Sequence, residues 1–155
     1  FWTTQTPIGT LTLAEKNKAL AWVSFFTPDF SEETCQMKTA FLEKVEQQLT
    51  EYFSGKRKNF NLPLWVEGTD FQQKVWDELQ KIPYGETISY GELARRCGNP
   101  KACRAVGMAN NKNRIAIIIP CHRVIGINGK LVGYAGGLDI KSKLLDLEYS
   151  KKGAE

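Results

Sequence analysis

Between positions 69 and 100 the chain repeatedly ends its own helices, and this punctuation restricts that stretch to short helices joined by tight turns. Thr69 with Gln72, and Ser89 with Glu92, carry the capping-box pattern, in which a hydroxyl and a Glu or Gln three positions later satisfy each other's backbone donors. The first box opens a helix with Phe71, Val75 and Leu79 on one side. That helix ends ahead of Pro83, with Tyr84 and Gly85 as the connection. The second opens a short helix that stops near Cys97, with Gly98 as the residue past its end. Asn99 is the expected cap of the following helix, and Pro100 sits in its first turn, where a missing N–H costs nothing. Residues 89–110 therefore read as helix, tight turn, helix, the spacing of a helix-turn-helix. Plain helical packing produces the same spacing.

Charge adds weight to the DNA-binding reading. Residues 1–67 hold 7 Lys and Arg against 8 Asp and Glu, whereas residues 68–155 hold 14 against 9. No acidic residue occurs from Leu93 to Leu138, a stretch that carries Arg95, Arg96, Lys101, Arg104, Lys112, Arg114, Arg123 and Lys130. A one-sign stretch on structured sequence suits a polyanion, or else forms a solvated face. On the second helix of the pair, Ala102, Ala105, Val106 and Ala109 form an apolar face, and Lys101 and Arg104 lie three apart on another. Cys103 and Gly107 make a strip of small residues, suited to a close nucleic-acid backbone or to a neighbouring helix.

The first half has a different texture. Gly9 to Ala14 alternates, Ala19 to Phe26 is strand-like, and Lys16-Asn17-Lys18 between them reads as a hairpin turn. Residues from about Ser31 to Phe53 read as a helix with Leu42, Val45, Leu49 and Phe53 on one face. Phe60-Asn61-Leu62 is a possible third strand stopped by Pro63. An α/β unit over 1–67 and a mainly helical unit over 68–155, divided at Gly68, is the expected organisation. The longest apolar run, Ile115–Ile119, falls far short of the roughly 20 residues of a membrane span. Neither a signal peptide nor a membrane partner is expected.

Cys35, Cys97, Cys103 and Cys121 follow neither a disulfide scaffold nor a metal pattern, and His122 is the one histidine. Reduced cytoplasmic thiols and no metal are expected. The β-branched run 115–119 reads as a buried strand feeding Pro120-Cys121-His122-Arg123. On an extended strand Cys121 and His122 would face opposite ways, so a water between them is expected unless the chain turns there. A thiol of ordinary pKa is mostly protonated at neutral pH, so a nucleophilic Cys121 needs a base or nearby cations.

Pro120-Cys121-His122-Arg123-Val124 resembles the acceptor motif of the O6-alkylguanine-DNA alkyltransferases, also called methylated-DNA–protein-cysteine methyltransferases, of bacterial type. The resemblance runs in order through Phe71–Trp76, Pro83-Tyr84-Gly85, Ser89–Ala94, Gly98-Asn99-Pro100, Arg104–Gly107, Tyr134–Leu138 and Leu144-Leu145. The N-terminal part matches loosely, in Thr6-Pro7-Ile8-Gly9. The resemblance implies a ribonuclease H-like α/β domain followed by a winged-helix-like domain with a helix-turn-helix. It implies a monomer without a cofactor that binds double-stranded DNA from the minor groove, flips out an alkylated guanine and takes the alkyl group irreversibly onto Cys121. It implies that His122 removes the thiol proton through water, that Glu148 orients His122, and that Asn113 braces the preceding turn. Tyr90 would crowd the neighbouring phosphate and protonate the guanine. Arg104 would fill the gap left by the flipped base, with Lys101, Cys103 and Gly107 alongside the DNA. Val124, Tyr134, Ala135 and Gly136 would line the pocket.

Asn111, Arg114 and Ile127 depart from that pattern, which usually has Gly, Pro and a small polar residue at these places. An Asn tolerates a left-handed conformation if the loop demands one at 111. Three other readings fit parts of the chain: a cysteine hydrolase using Cys121 and His122, a lesion binder without chemistry, and a helix-turn-helix regulator. Adjacency of the two residues counts against the first, and the presence of the acceptor cysteine against the second.

Overall fold

The computed structural model describes residues 1–26, 36–126, 129, 134 and 137–151. Two compact units divide the chain, Phe1–Val66 and Glu67–Glu155.

The first unit is an antiparallel sheet in the order β1-β2-β3, formed by β1 (Trp2–Thr6), β2 (Gly9–Lys16) and β3 (Ala19–Ser24), with one helix, α1 (Ala40–Phe53). Asn17 and Lys18 both take positive φ, 52° and 63°, the two-residue turn whose twist suits a hairpin. Leu11 and Leu13 of β2 and Leu20 and Val23 of β3 fill the core against Leu42, Val45 and Leu49 of α1. Two features differ from the sequence expectation on α1. It starts at Ala40, because Thr39 caps it by accepting from the Leu42 N–H at 3.0 Å, and residues 36–39 are not helical. The stretch from Ser31 to 35 lies outside the described residues. Tyr52, not Phe53, takes the innermost place at the helix end.

β1 was not foreseen, because its Thr-rich sequence lacks alternation. Phe60–Leu62, foreseen as a strand, is not one. The Gln48 side chain holds it, donating to the Asn61 carbonyl at 3.3 Å and accepting from the Asn61 N–H at 3.1 Å. Pro63 offers no N–H to a ladder, and pairing is confined to a parallel bridge between Leu20 and Leu64.

The second unit contains α2 (Asp70–Gln80), β4 (Ile88–Ser89), α3 (Tyr90–Arg96), α4 (Cys103–Asn111), a 3-10 turn (Cys121–Arg123), β5 (Val124–Ile125) and α5 (Leu138–Lys151). β4 and β5 form a short parallel pair. The Thr69 capping box is complete: its hydroxyl accepts from Gln72 N at 3.1 Å, and Gln72 Oε1 accepts from Thr69 N at 3.0 Å. At Ser89 only half a box forms. The hydroxyl accepts from Glu92 N, but the Glu92 carboxylate turns instead to Arg95 and Arg96, at 2.8 and 3.0 Å, which hold its carboxyl down to about 2. Two cations of the acid-free stretch are thereby paired within their own helix.

Trp76 ties α2 to α4 by donating from Nε1 to the Ala109 carbonyl at 2.9 Å. A Cβ on Gly68 would stand 2.7 Å from two carbons of this pinned ring. Gly68→Ala is therefore expected to destabilise the protein by about 1–3 kcal/mol, read as a thermal midpoint lower by about 2–4 °C per kcal/mol.

The turn between α3 and α4 is longer than foreseen. Gly98 has φ 89° past the end of α3, and Asn99 accepts from Lys101 N at 3.1 Å, capping a separate turn and not α4. The helix starts at Cys103 without a side-chain cap, so Pro100 and Lys101 precede it, and Lys101 and Arg104 do not share a helical face. Ala105 is exposed, and Asn110 joins Val106 and Ala109 on the buried side.

Residues 115–119 are not a strand. Ile115, Ala116, Ile117 and Ile119 are buried, but they coil through turns, with Ile118 N donating to the Ala116 carbonyl at 2.8 Å and Ile119 N to that of Ile115 at 3.0 Å. β-branched composition favours a strand only where a neighbouring strand accepts the ladder. Ile117 takes φ 72°, a strained conformation for a β-branched residue. Asn111 lies inside α4 and does not adopt the left-handed conformation.

Candidate active site

The site is assembled on the 3-10 turn that follows Pro120. The chain does turn at Cys121, so the extended geometry that would set Cys121 and His122 on opposite faces does not apply. Asn113 supports the approach to this turn. Its Oδ1 accepts from Ile115 N at 3.0 Å, and its Nδ2 donates to the Ile119 carbonyl at 2.9 Å, meeting backbone groups that a strand partner would have satisfied.

α5 brings Lys141, Leu144 and Glu148 to the same place, spaced so that all three fall on its buried face. His122 is fully buried, and its Nε2 lies 2.7 Å from Glu148 Oε2. Arg123 grips the same carboxylate, with Nε donating to Oε1 at 2.8 Å and Nη2 to Oε2 at 3.0 Å, while Nη1 donates to the Ile82 carbonyl at 2.7 Å. Gly85 N adds a longer bond to Oε1 at 3.4 Å. Burial by itself pushes the Glu148 carboxyl up, but the hydrogen bonds of His122 and Arg123 and the charge of Arg123 outweigh it and hold it well below the usual carboxylate range.

Burial pushes His122 down, against the upward pull of Glu148, so its imidazole is neutral at pH 7. An ionised carboxylate only accepts, so Nε2 carries the proton and Nδ1 presents a lone pair. Nδ1 is buried and has no hydrogen-bond partner among the described residues. The arrangement leaves a neutral base with one occupied and one available nitrogen, immediately after a thiol in the chain.

Cys121 is 6 % exposed. Burial pushes its thiol up, while the Asn113 amide, the Lys141 ammonium, its own backbone N–H and the Tyr134 hydroxyl pull it down. A buried thiol of this kind stays protonated until a base acts. Lys141, also fully buried and shifted down by burial, stands 5.9 Å from the Tyr90 ring centroid.

Tyr90 opens α3 and lies against α4, where a Cβ on Gly107 would meet its ring carbons at 3.9 Å. Burial, and then the charge of Cys121, push the Tyr90 phenol up. Burial likewise raises Tyr134, with Cys121 adding to it. Val124 is buried in β5. Thus Cys121, His122, Glu148, Asn113, Tyr90 and Tyr134 are brought together. Lys101, Cys103 and Arg104 are exposed on the outer side of the turn and α4, with Met108 beside them. Ala135 and Gly136 lie outside the described residues, as do Ile127 and Lys130.

Sequence reasoning passed over Arg123 as an anchor of Glu148, Lys141 as a buried cation whose charge favours the thiolate, and Asn110, whose Nδ2 donates to the Cys121 carbonyl at 3.4 Å. The signal available for Lys141 and Glu148 was their spacing, together with Leu144, on one face of a helix. A lysine in that pattern reads as solvent-facing until burial is known.

Two family models match the chain: the 6-O-methylguanine DNA methyltransferase ribonuclease-like domain over residues 2–66, and the DNA binding domain of the same family over residues 70–150. The methylated-DNA–protein-cysteine methyltransferase of Methanosarcina acetivorans is 52% identical over 153 residues, covering 94% of this chain and 96% of that protein. The constitutive methylated-DNA–protein-cysteine methyltransferase of Bacillus subtilis is 47% identical over 155 residues, covering 96% and 94%. Among solved structures, Mycobacterium tuberculosis OGT in complex with DNA superposes with a TM-score of 0.91 at 47% identity, covering 97% of this chain and 92% of that one. With both of its units matched, the chain belongs to the 6-O-methylguanine DNA methyltransferase family.

Proposed function

We propose that this chain repairs DNA by transferring an alkyl group, methyl above all, from O6 of guanine in duplex DNA to the sulfur of Cys121. The observation that carries this reading is the pairing of a buried thiol with the next residue's imidazole, locked by Glu148 at 2.7 Å and left with a free ring nitrogen. His122 Nδ1 takes the thiol proton through water, and Glu148, held by Arg123, stabilises the imidazolium that results. The Lys141 charge favours the thiolate. The thiolate forms a bond to the alkyl carbon as the carbon–O6 bond breaks, and that electron pair passes to the guanine. The product is a thioether with no easy return path, so each molecule acts once.

A base stacked in a duplex cannot present its O6 substituent in line with a buried sulfur, so the nucleotide must leave the stack. Arg104 on α4 supplies the side chain that fills the vacated place, and Lys101, Cys103 and Gly107 lie along the approaching backbone from the minor groove. Tyr90 presses on the neighbouring phosphate and gives its proton to the departing guanine. Val124 and Tyr134, with Ala135 and Gly136, wall the base pocket, and Asn113 keeps the acceptor turn in shape. Among the described residues no helix is long and apolar enough to cross a membrane. Cys97, Cys103 and Cys121 are free thiols, in keeping with a reducing cytoplasm.

The direct test is incubation with a duplex bearing a single O6-methylguanine, followed by peptide mass spectrometry. One added methyl on the Cys121 peptide, in an amount that stops at one per protein, is expected. Continued turnover, or a methyl elsewhere, would overturn the reading. Arg104→Ala is expected to slow transfer from duplex DNA by roughly tenfold or more while iodoacetamide still alkylates Cys121 at the wild-type rate. Repair at the wild-type rate by that variant would remove Arg104 from this role.

A further inference from the structure

The transfer reaction gives no part to Pro83-Tyr84-Gly85, yet the turn formed there touches both ions of the buried pair behind His122. Glu86 N donates to the Pro83 carbonyl at 3.1 Å, and Gly85, third in the turn, takes φ 79°, the left-handed conformation such a turn requires at that place. Arg123 turns the edge of its guanidinium to the Glu148 carboxylate and, through Nη1, to the Ile82 carbonyl at 2.7 Å, one residue ahead of the turn. The Tyr84 ring meets the guanidinium group, whose central carbon lies 5.7 Å from the ring centroid. An aromatic face holds a planar, weakly hydrated cation best where water is kept away. To the other ion, Gly85 N donates at 3.4 Å, reaching Glu148 Oε1. Glu148 also borders a cavity of about 490 Å³, together with Gly85, Glu86, Asp146 and Tyr149. A side chain beside a cavity lacks close packing on that side, so the place of the carboxylate depends on the groups bonded to it.

We propose that Tyr84 is a positioning residue of the transfer reaction: its ring holds the Arg123 guanidinium against Glu148, and the carboxylate so fixed keeps the His122 proton on Nε2 and leaves Nδ1 available as the base. The inference rests on the proposed transfer to Cys121, and Tyr84 acts in it only through Arg123 and Glu148. The charged groups facing His122 are Glu148 and Lys141 from α5 and Arg123 from its own turn. Glu148 pulls the imidazole up, whereas Arg123 and Lys141 push it down. Cys121, Tyr84 and Tyr90, from the neighbouring elements, are pushed up by burial and are uncharged at neutral pH. α2, also packed on the 3-10 turn, buries Val75, Trp76 and Leu79, none of them charged. Glu86 and Asp146 are the further carboxylates on the cavity side. With Arg123 in place, the guanidinium answers part of the Glu148 charge and His122 stays a neutral base. Without the ring the guanidinium is held less closely, the pull of Glu148 on His122 is less opposed, and the imidazole takes its proton at higher pH. An imidazole already protonated accepts nothing from the thiol.

The test compares Tyr84→Leu with Tyr84→Phe. Alkylation of the Cys121 peptide is followed by mass spectrometry across pH, with iodoacetamide and, in single turnovers, with an O6-methylguanine duplex. In Tyr84→Leu the midpoint of the acid limb is expected to rise by about 0.5–1 pH unit in both reactions, slowing them about threefold or more near about pH 6 and less than about twofold near about pH 8.5. Tyr84→Phe keeps the ring face and is expected to keep the wild-type midpoint. Equal slowing at every pH with an unmoved midpoint would make Tyr84 merely structural and overturn the proposal. A midpoint that falls, a phenylalanine variant shifted as far as the leucine one, or wild-type behaviour in both would overturn it too. Should Tyr84→Leu not melt cooperatively, Tyr84→Met is measured in the same way. A wild-type protein that takes no methyl from the duplex, while the iodoacetamide midpoints still separate, would instead overturn the transfer reading and not the hold of Tyr84 on the base.

Discussion

Cys121→Ser is expected to bind an O6-methylguanine duplex with wild-type affinity and to accept no methyl, a rate loss of at least about 10⁴-fold, equivalent to about 5.4 kcal/mol of barrier. The substitution changes one atom and leaves the 3-10 turn, the Asn110 bond to the main-chain carbonyl and the outer face of α4 untouched. What it removes is polarisability and acidity. A saturated carbon is attacked best by a soft, deprotonated nucleophile, and a serine hydroxyl is neither. The site already works against ionisation, since burial pushes even the thiol up. A neutral imidazole pushed below its ordinary range is too weak a base to draw a proton from an alcohol there. Electrophoretic mobility with the duplex and quenched-flow transfer separate the two halves of this prediction. Loss of binding together with transfer would show that the thiol itself contributes to DNA recognition, contrary to its buried position.

Glu148→Ala is expected to cost about 3–5 kcal/mol of stability, because it leaves the Arg123 guanidinium buried without its anion. Arg123 is only 6 % exposed and would keep the Ile82 carbonyl and the face of the Tyr84 ring, neither of which carries a negative charge. A drop of that size moves a thermal midpoint by roughly 2–4 °C per kcal/mol in a chain of this length. The pH dependence gives the sign. The Glu148 carboxyl is held below its ordinary value of 4.5, so its contribution is present above that pH and is lost as pH falls through 4.5 toward the folded-state value. The His122 imidazole is held below 6.5, so burying it neutral stabilises the fold above pH 6.5 and loses that contribution as pH falls further. Wild-type midpoints should therefore decline from about pH 6.5 downward and steepen below about pH 4.5. In Glu148→Ala the lower segment should flatten, as measured by thermal unfolding across pH. An unchanged lower segment would show that the network does not couple to folding.

Much of the second unit is legible in its sequence. The Thr69 box, Ser89 and Gly98 set where α2 begins and where α3 begins and ends, because capping is decided within one turn of chain. The same local logic failed at Asn99, whose side chain caps a turn of its own, and at Glu92, whose carboxylate found two arginines closer than its own backbone. Residues 115–119 misled for a different reason: β-branched composition reports burial as readily as it reports strand, and here only the burial was realised. In the first unit, β1 carries no periodic signal at all and exists because β2 offers it an edge.

The order of residues along the chain was enough to identify a Pro-Cys-His-Arg acceptor motif, a basic stretch and a helix-turn-helix, since each is a property of neighbours in sequence. Tertiary structure alone decided that Arg123 clamps Glu148, that Lys141 is buried near the Tyr90 ring, and that Asn110 reaches the main chain of Cys121. Those pairings join residues far apart in the chain. Their energies arise from desolvation, which has no value until the fold has excluded the water.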